Sequence, residues 1–407
     1  MEGRTIVKLV FAYDVVVEQD IHANRVYHNY FDYTVWQRYL NVFDEVTVAT
    51  RVKQLGDKEK PANTKLSSGE RVMFQAVPNL SNPIAQFQNR ALARHALKEC
   101  LLASDALIAR LPSETGAVAI QLAKRLGKPW AVEVVGHAWD ALWNYGTWQG
   151  KVYAPIMTWR TKQLVKRAPF ALYVTEHFLQ SHYPCRGRTT HCSNVEIPIP
   201  AVEQVAKQFT AGSKDVVRIG LVGSMATRYK GIHTALHALA SLKDELRFEF
   251  RILGEGDSVP WKALCEQLGI IDRVHFYSPL PSGTAVFEWL DALDMYMQPS
   301  LQEGLPRALI EAMSRGLPAI GSTAGGIPEL LPEKWIFPAG DVSALASRLR
   351  RMIGETGERS EAARVNYETA QRYAKEALDQ RRSDFWQEFR DYALSGVEHS
   401  VIRLVSR

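Results

Sequence analysis

Two glutamates, Glu303 and Glu311, stand eight positions apart in the stretch PSLQEGLPRALIEAMSRG, residues 299–316. A Gly304-Leu305-Pro306 corner follows the first, and the apolar Leu309, Ile310, Ala312 and Met313 surround the second. Carboxylates so placed suit an acid/base pair, two grips on one ligand, or ordinary surface charge. A carboxylate among apolar neighbours is expensive to bury unless it accepts hydrogen bonds, and vicinal ribose hydroxyls would supply two such donors. Pro306 suits the first turn of a helix, where its missing N–H costs nothing. The N–H groups of Arg307 and Ala308 would then be free for an anion.

Two more strand-to-helix junctions carry related chemistry. In GLVGSMATRYKGIHTAL a strand ends at Gly223, and Lys230-Gly231 opens a helix. Backbone N–H groups at a helix start plus an ammonium make a phosphate site; the alternative is a surface loop with a solvated lysine. The loop has neither the GxxxxGK[ST] nor the GxGxxG spacing. In GSTAGGIPELL, Gly325-Gly326 permits close backbone approach and Pro328 marks another helix start, unless this is a plain tight turn. Ligands of open parallel sheets bind beyond the carboxyl ends of the strands, where these three loops would converge.

The segments that carry these loops follow a βαβ rhythm, that of a parallel sheet covered on both faces. Strand-like runs in the first half are residues 5–12, 45–50, 71–77, 105–111, 130–135 and 170–175, separated by helical patterns such as 83–102 and 114–126. The polar stretch 51–70 reads as a hairpin or loop insertion, and 196–215, with its prolines and Gly-Ser-Lys-Asp corner, as a linker or domain edge. The alternation then restarts at 216–223, 247–254, 273–278, 294–300, 317–322 and 335–338. A long helical pattern, 373–396, closes the chain. Two doubly wound α/β domains in tandem are expected.

A chain of 407 residues suits two domains, and a hydrophobic content of 46% against 23% charged excludes a disordered protein. No apolar run approaches the roughly 20 residues of a membrane span, and the N-terminus lacks a signal-peptide pattern. Cys100, Cys185, Cys192 and Cys265 are scattered without a CxxC, so a disulfide framework or zinc site is not expected and the cytoplasm is the default location. The net charge of +5 is too mild to call for a nucleic-acid partner. Its distribution says more. No acidic residue lies between Ala141 and Thr175, a span holding Lys151, Arg160, Lys162, Lys166 and Arg167, with Trp139, Trp143, Trp148 and Trp159 in or beside it. Such a stretch suits either two amphipathic helices with tryptophans in a core or peripheral contact with an anionic membrane.

The segments VGSMATRYKG (222–231), LGEGDS (253–258) and 299–330, with the final helix, resemble the family-4 glycosyltransferases of GT-B fold. The match is specific over roughly 215–395. VEVVGHAWDALW (132–143) and YVTEHFLQSHYP (173–184) resemble exopolysaccharide and capsule enzymes of that group. The resemblance implies an acceptor-side domain over 1–203, a donor-binding domain over 204–373, and a C-terminal helix, 374–407, packing back on the first. It also implies a retaining, metal-independent transfer of a hexose from a nucleotide-sugar, with UDP favoured, to a saccharide or polyprenyl-diphosphate-linked acceptor. By the same resemblance Glu311 holds the ribose, Glu303 faces the donor sugar, and Lys230 neutralises the diphosphate. Gly223, Ser224, Gly254, Gly304, Leu305, Arg307 and Ala308 line the donor. The family usually has an arginine where Ser224 stands, and Arg228 either substitutes for it or is solvated. His137 either faces the donor sugar as a catalytic group or caps the next helix; Asp140 is a weaker candidate of the same kind. The first loop, AYDVVVEQDIHANRVY, lacks the family's glycine pair, which leaves the acceptor site unassigned. No D-x-D pair is present, in keeping with a site that needs no metal or other cofactor.

Three other readings compete. A glycoside hydrolase would want two carboxylates but not a phosphate cradle. A non-catalytic sugar-nucleotide-binding subunit would bind without turnover. A dehydrogenase would want a glycine-rich fingerprint after residues 5–12, which is missing.

Overall fold

The structure is a computed structural model that describes residues 6–405 apart from 57–58, 60, 62–64, 144–147, 196, 211 and 213. Its first half forms β1 (Lys8–Asp20), β2 (Arg25–Tyr27), β3 (Glu45–Gln54), β4 (Val72–Ala76), β5 (Ala106–Leu111), β6 (Trp130–Val134), β7 (Phe170–Tyr173) and β8 (Arg188–His191). These make one sheet in the order β4-β3-β1-β5-β6-β7-β8, with β2 antiparallel to the far end of β1 and the other neighbours parallel. Consecutive residues such as Leu9, Val10, Phe11 and Ala12 are all fully buried, as a strand covered on both faces requires.

The second half forms β9 (Val217–Val222), β10 (Phe248–Leu253), β11 (Val274–Tyr277), β12 (Met295–Gln298), β13 (Ala319–Ser322) and β14 (Ile336–Phe337). They pair in parallel in the order β11-β10-β9-β12-β13-β14. The order runs one way from β9 and then reverses at β12. The connections leaving these two adjacent strands therefore diverge to opposite faces and leave a crevice at their carboxyl ends.

Two doubly wound sheets agree with the sequence expectation, and most strands fall within a few residues of it. The differences are local. β1 does not stop at residue 12; after a register shift between Ala12 and Val16 it runs on to Asp20 and turns into β2, so much of the expected first loop is a hairpin. The expected linker 196–215 contains a helix, Val202–Phe209, which buries Val205 and sets Phe209 5.8 Å from Tyr367. In the 51–70 stretch, Leu66 bridges Tyr27 and Gly69 bridges Val72; part of that stretch lies outside the described residues. β8, with the sequence RTTH, is polar and at a sheet edge, and its pattern gave no strand signal.

The helix Lys375–Val405 returns to the first sheet. Phe385, Trp386 and Phe389 are buried there, with ring centroids 5.6 Å from Phe170 (Phe385), 6.3 Å from Tyr39 (Trp386) and 6.3 Å from Phe43 (Phe389). Arg188 grips Glu388 with two hydrogen bonds of 2.7 and 2.9 Å. The chain thus crosses between the two sheets twice, side by side, where Lys375 N donates to Ile197 O at 3.2 Å.

Candidate active site

The crevice between β9 and β12 is built by two loops in contact. The loop after β9 closes with a turn at Arg228–Lys230, and Gly231, at φ +69°, starts the helix Ile232–Ser241. A side chain at Gly231 would sit 1.9 Å from Pro299 O, so the two loops meet at van der Waals distance only because this residue is glycine. Leu301 N donates to Tyr229 O at 2.7 Å and locks them. Lys230 lies back across Gly223, where a Cβ would meet its Cγ at 2.8 Å, and its ammonium reaches Glu303. Gly254, after β10, leaves room for Gly223 O, 2.0 Å from the position of a Cβ.

Glu303 is the best-anchored carboxylate of the crevice. Its Oε1 accepts from Lys230 Nζ at 2.7 Å, Ser300 Oγ at 2.8 Å and Gln298 Nε2 at 3.0 Å. Gln298 also donates to Ser300 Oγ at 2.8 Å and accepts from Tyr296 OH at 3.0 Å, while Tyr296 OH accepts from Val222 N at 3.2 Å. Tyr296, Gln298 and Ser300 are fully buried, so a hydrogen-bonded chain runs from β9 to the carboxylate. Burial pushes the Tyr296 hydroxyl far above its usual pKa, which keeps it a neutral donor. Three donors converge on one oxygen, and Oε2 has no partner among the described residues.

Glu311 sits in the opposite condition. It lies on the helix Arg307–Ser314, whose Leu309, Ile310, Ala312 and Met313 are buried. Its carboxylate has no hydrogen-bond partner among the described residues. Burial raises its pKa above the usual carboxylate range, opposed by Arg307 one turn earlier. Pro306 stands at the N-cap (φ −73°, ψ 108°), one place before the expected first turn, and no side chain caps the helix start. Arg307 is exposed, Ala308 half-buried, and Leu305 buried under the loop.

The first domain closes over these loops at several points. A Cβ at Gly304 would lie 2.7 Å from Val135 O, so the loop carrying Glu303 abuts the end of β6 just before His137. Gly326 N donates to Gly304 O at 2.7 Å. From the same glycine-rich loop, the Glu329 carboxylate accepts from Glu176 N at 2.6 Å, His177 N at 3.1 Å and Phe178 N at 2.6 Å. This carboxylate of one domain holds the start of a short helix, Phe178–His182, in the other. Lys65 Nζ donates to Ser282 Oγ at 2.7 Å, and Arg307 lies 5.7 Å from the Tyr30 ring centroid. The Tyr30 hydroxyl has a raised pKa, from burial first and then from the Glu255 charge.

The sequence-expected residues thus divide. Lys230 and Glu303 are in direct contact, and Gly223, Ser224, Gly254, Gly304 and Arg307 belong to the loops around them. His137 precedes the helix Ala138–Trp143 with Nδ1 2.9 Å from Asp140 Oδ2, outside hydrogen-bond alignment, and its ring packs edge-on to Phe178 and tilted against His182 and Tyr183. Arg228 lines a cavity with His233, His237, Pro260, Trp261 and Leu264 rather than joining the Glu303 cluster. Gln298, Ser300, Glu329 and Tyr30 were not singled out from sequence. The first two could have been found by asking what a β12 end must donate to Glu303; the last two depend on contacts with the other domain.

Residues 216–355 match the family described as glycosyl transferases group 1. Protein CapJ of Staphylococcus aureus is 33% identical over 348 residues, 85% of this chain and 86% of that protein. The amylovoran biosynthesis glycosyltransferase AmsK of Erwinia amylovora is 36% identical over 137 residues, 31% of this chain and 33% of its own. HepE of Anabaena, solved in complex with UDP-glucose, superposes with a TM-score of 0.61 at 16% identity, covering 94% of this chain and 99% of that one, a likeness of fold. A relative matched over most of both chains, two doubly wound sheets facing one crevice, and a final helix returning to the first sheet agree on one assignment: the chain belongs to the group 1 glycosyl transferases and has the GT-B fold.

Proposed function

We propose that the chain moves a hexose, with retention of anomeric configuration and without a metal, from a UDP-sugar to a saccharide acceptor carried on a polyprenyl diphosphate, in cell-surface polysaccharide synthesis. The observation that carries this reading is the Lys230–Glu303 pair at the switch point, 2.7 Å long, with Glu303 Oε2 left open. A cation there meets the diphosphate of a donor, and a fixed carboxylate oxygen beside it meets a sugar hydroxyl. UDP is favoured because HepE is solved with UDP-glucose. The polysaccharide setting draws on AmsK, named for amylovoran synthesis.

In this account Glu311 accepts hydrogen bonds from the two ribose hydroxyls, which supply the donors the protein does not. The uncapped N–H groups at Arg307 and Ala308 and the Lys230 ammonium hold the diphosphate, and Arg228, which lines its own cavity, would have to turn out of it to take part. Binding draws Lys230 from Glu303 toward phosphate, while Ser300 and Gln298 keep the carboxylate in place. The bond between the sugar's anomeric carbon and the β-phosphate oxygen breaks through an oxocarbenium-like state. The acceptor oxygen bonds to that carbon from the same face, and its proton passes to the departing phosphate oxygen. Charge building on that oxygen is where Lys230 and the amides act, and fixed groups of this kind lower a barrier by about 3 kcal/mol each. His137, packed against Phe178, His182 and Tyr183, approaches the sugar from the first domain. Residues 1–203 and 204–373 are the bodies that close on the donor, with the final helix, Lys375–Val405, packed on the first.

Incubating the protein with a panel of UDP-, GDP- and ADP-sugars tests this. Release of sugar from one nucleotide donor, unaffected by a chelator and giving a product of retained configuration by NMR, is expected. Hydrolysis of simple aryl glycosides with no response to nucleotide would instead support a hydrolase. Tight nucleotide binding without turnover under any acceptor would support a binding subunit.

A further inference from the structure

The four tryptophans that the sequence could have placed in a core are on the surface. We infer that the outer faces of the helices Pro83–Leu102 and Trp148–Lys166 together form a docking surface for an anionic lipid bilayer. As a route to a lipid-linked acceptor this rests on the proposed function; as a surface it stands on exposure, spacing and charge.

Trp148, Val152, Ile156 and Trp159 follow one another at steps of four, four and three, which puts them on one face of the helix. Trp148 is 71% exposed, Val152 62% and Trp159 64%. The opposite side of this helix is anchored: Ala154, Thr161 and Val165 are buried, Tyr153 OH donates to Glu114 Oε1 at 2.6 Å, and Arg160 Nη1 to Glu114 Oε2 at 2.5 Å. The apolar ridge is therefore the free side of a firmly held helix. Gln86 Nε2 donates to Tyr153 OH at 3.2 Å and holds the helix Pro83–Leu102 alongside. That helix adds Ile84, 72% exposed, and Phe87, 92% exposed.

Water-facing aromatic and aliphatic side chains on two adjoining helices form a patch of the kind that marks an interaction site. Charge selects the occupant. No acidic residue occurs from 83 to 98, where Arg90, Arg94 and Lys98 fall, and none from 141 to 175, where Lys151, Lys162, Lys166 and Arg167 fall. Two copies of this face would bring cations against cations. An anionic headgroup layer takes both features at once, since tryptophan rings settle at headgroup depth and lysines pair with lipid phosphates. The surface also reaches the site. The helix Ala138–Trp143 begins directly after His137 and carries Trp139 and Trp143, stacked at 5.2 Å and 13°, with Lys151 5.5 Å from the Trp143 ring. A bilayer touching this face would lie at the rim of the crevice, where a membrane-borne acceptor arrives.

Co-sedimentation of the full chain with vesicles tests this, using phosphatidylcholine alone and phosphatidylcholine mixed equally with phosphatidylglycerol. The wild-type protein is expected to bind only the anionic vesicles and to be released by salt. Trp148→Ser with Ile156→Ser and Trp159→Ser should lower partitioning at least tenfold, and Lys162→Glu with Lys166→Glu and Arg167→Glu should lower it comparably. All these side chains are exposed or half-buried, and unchanged circular dichroism and donor hydrolysis in solution would confirm an intact fold. Three results would each overturn the inference: wild type that does not prefer anionic vesicles, serine variants that bind as wild type does, or a wild-type dimer that the serine variants convert to monomer. Failure of the proposed function looks different, because vesicle binding would persist without hydrolysis of any nucleotide-sugar.

Discussion

Glu303 and Glu311 lie on one stretch of chain and address one crevice, yet their surroundings are opposites. Glu303 has three donors on a single oxygen, backed by a buried chain from Tyr296 through Gln298. Glu311 is desolvated by its helix and has only the distant help of Arg307. The first is pre-organised and gains geometry from the protein. The second is left wanting, and only a ligand with paired hydroxyls completes it. One carboxylate is built to be in the right place before the donor arrives, the other to make binding favourable when it does.

Substitutions at the two sites should therefore fail differently. The largest effect is expected on the pre-organised side: Lys230→Ala, or Glu303→Gln, should lower kcat about a hundredfold by removing one transition-state contact, measured by donor hydrolysis and transfer. Glu311→Gln should act mainly on binding, weakening nucleotide affinity about tenfold by calorimetry while kcat falls little.

The same variant should be more stable than wild type when no ligand is present. The folded-state pKa of Glu311 is raised, so the contribution of this one group to stability is fully present below the ordinary carboxylate pKa and is lost as pH rises through the raised one. Glutamine does not titrate. The melting advantage of Glu311→Gln should be absent in acid and grow toward neutrality, to roughly 2–6 °C. An advantage that shrank with rising pH would place Glu311 on the satisfied side of the comparison.

Ser300→Ala removes one of three donors from Glu303 Oε1 and should cost roughly threefold to tenfold in kcat, less than losing Lys230. The smallest catalytic effect belongs to Glu329→Ala, which touches neither carboxylate. It frees three backbone N–H groups of the other domain and should lower the melting temperature by a few degrees, with donor affinity unchanged, in calorimetry and thermal scans.

Much of this was legible in the sequence. Continuous apolar runs alternating with helical patterns announce buried parallel strands, and a carboxylate between Ile310 and Ala312 announces a group in need of donors. What escaped has a common cause. β8 is a polar edge strand whose pairing with β7, not its composition, makes it a strand. The hairpin extending β1 depends on an irregular register that no alternation shows. Glu329 has its partners at Glu176, His177 and Phe178, and Tyr30 has its partner at Arg307; both are contacts between domains, and no local pattern encodes where two separately folded sheets will meet. The tryptophans of 139–159 were ambiguous because a helical stripe of apolar residues looks the same whether it faces a core or the outside. The exposure of the tryptophans, with Ala154, Thr161, Val165 and the Glu114–Arg160 anchor on the other side of the helix, decides it.

The two glutamates are proposed to hold opposite ends of one nucleotide-sugar. Calorimetric binding of the donor's nucleoside diphosphate, which lacks the sugar, to Glu303→Gln and Glu311→Gln separates those ends most directly. Glu311→Gln is expected to lose about tenfold in affinity while Glu303→Gln binds within about twofold of wild type. If Glu303→Gln weakened the nucleoside diphosphate as much as Glu311→Gln does, the two carboxylates would share one end rather than grip opposite ones.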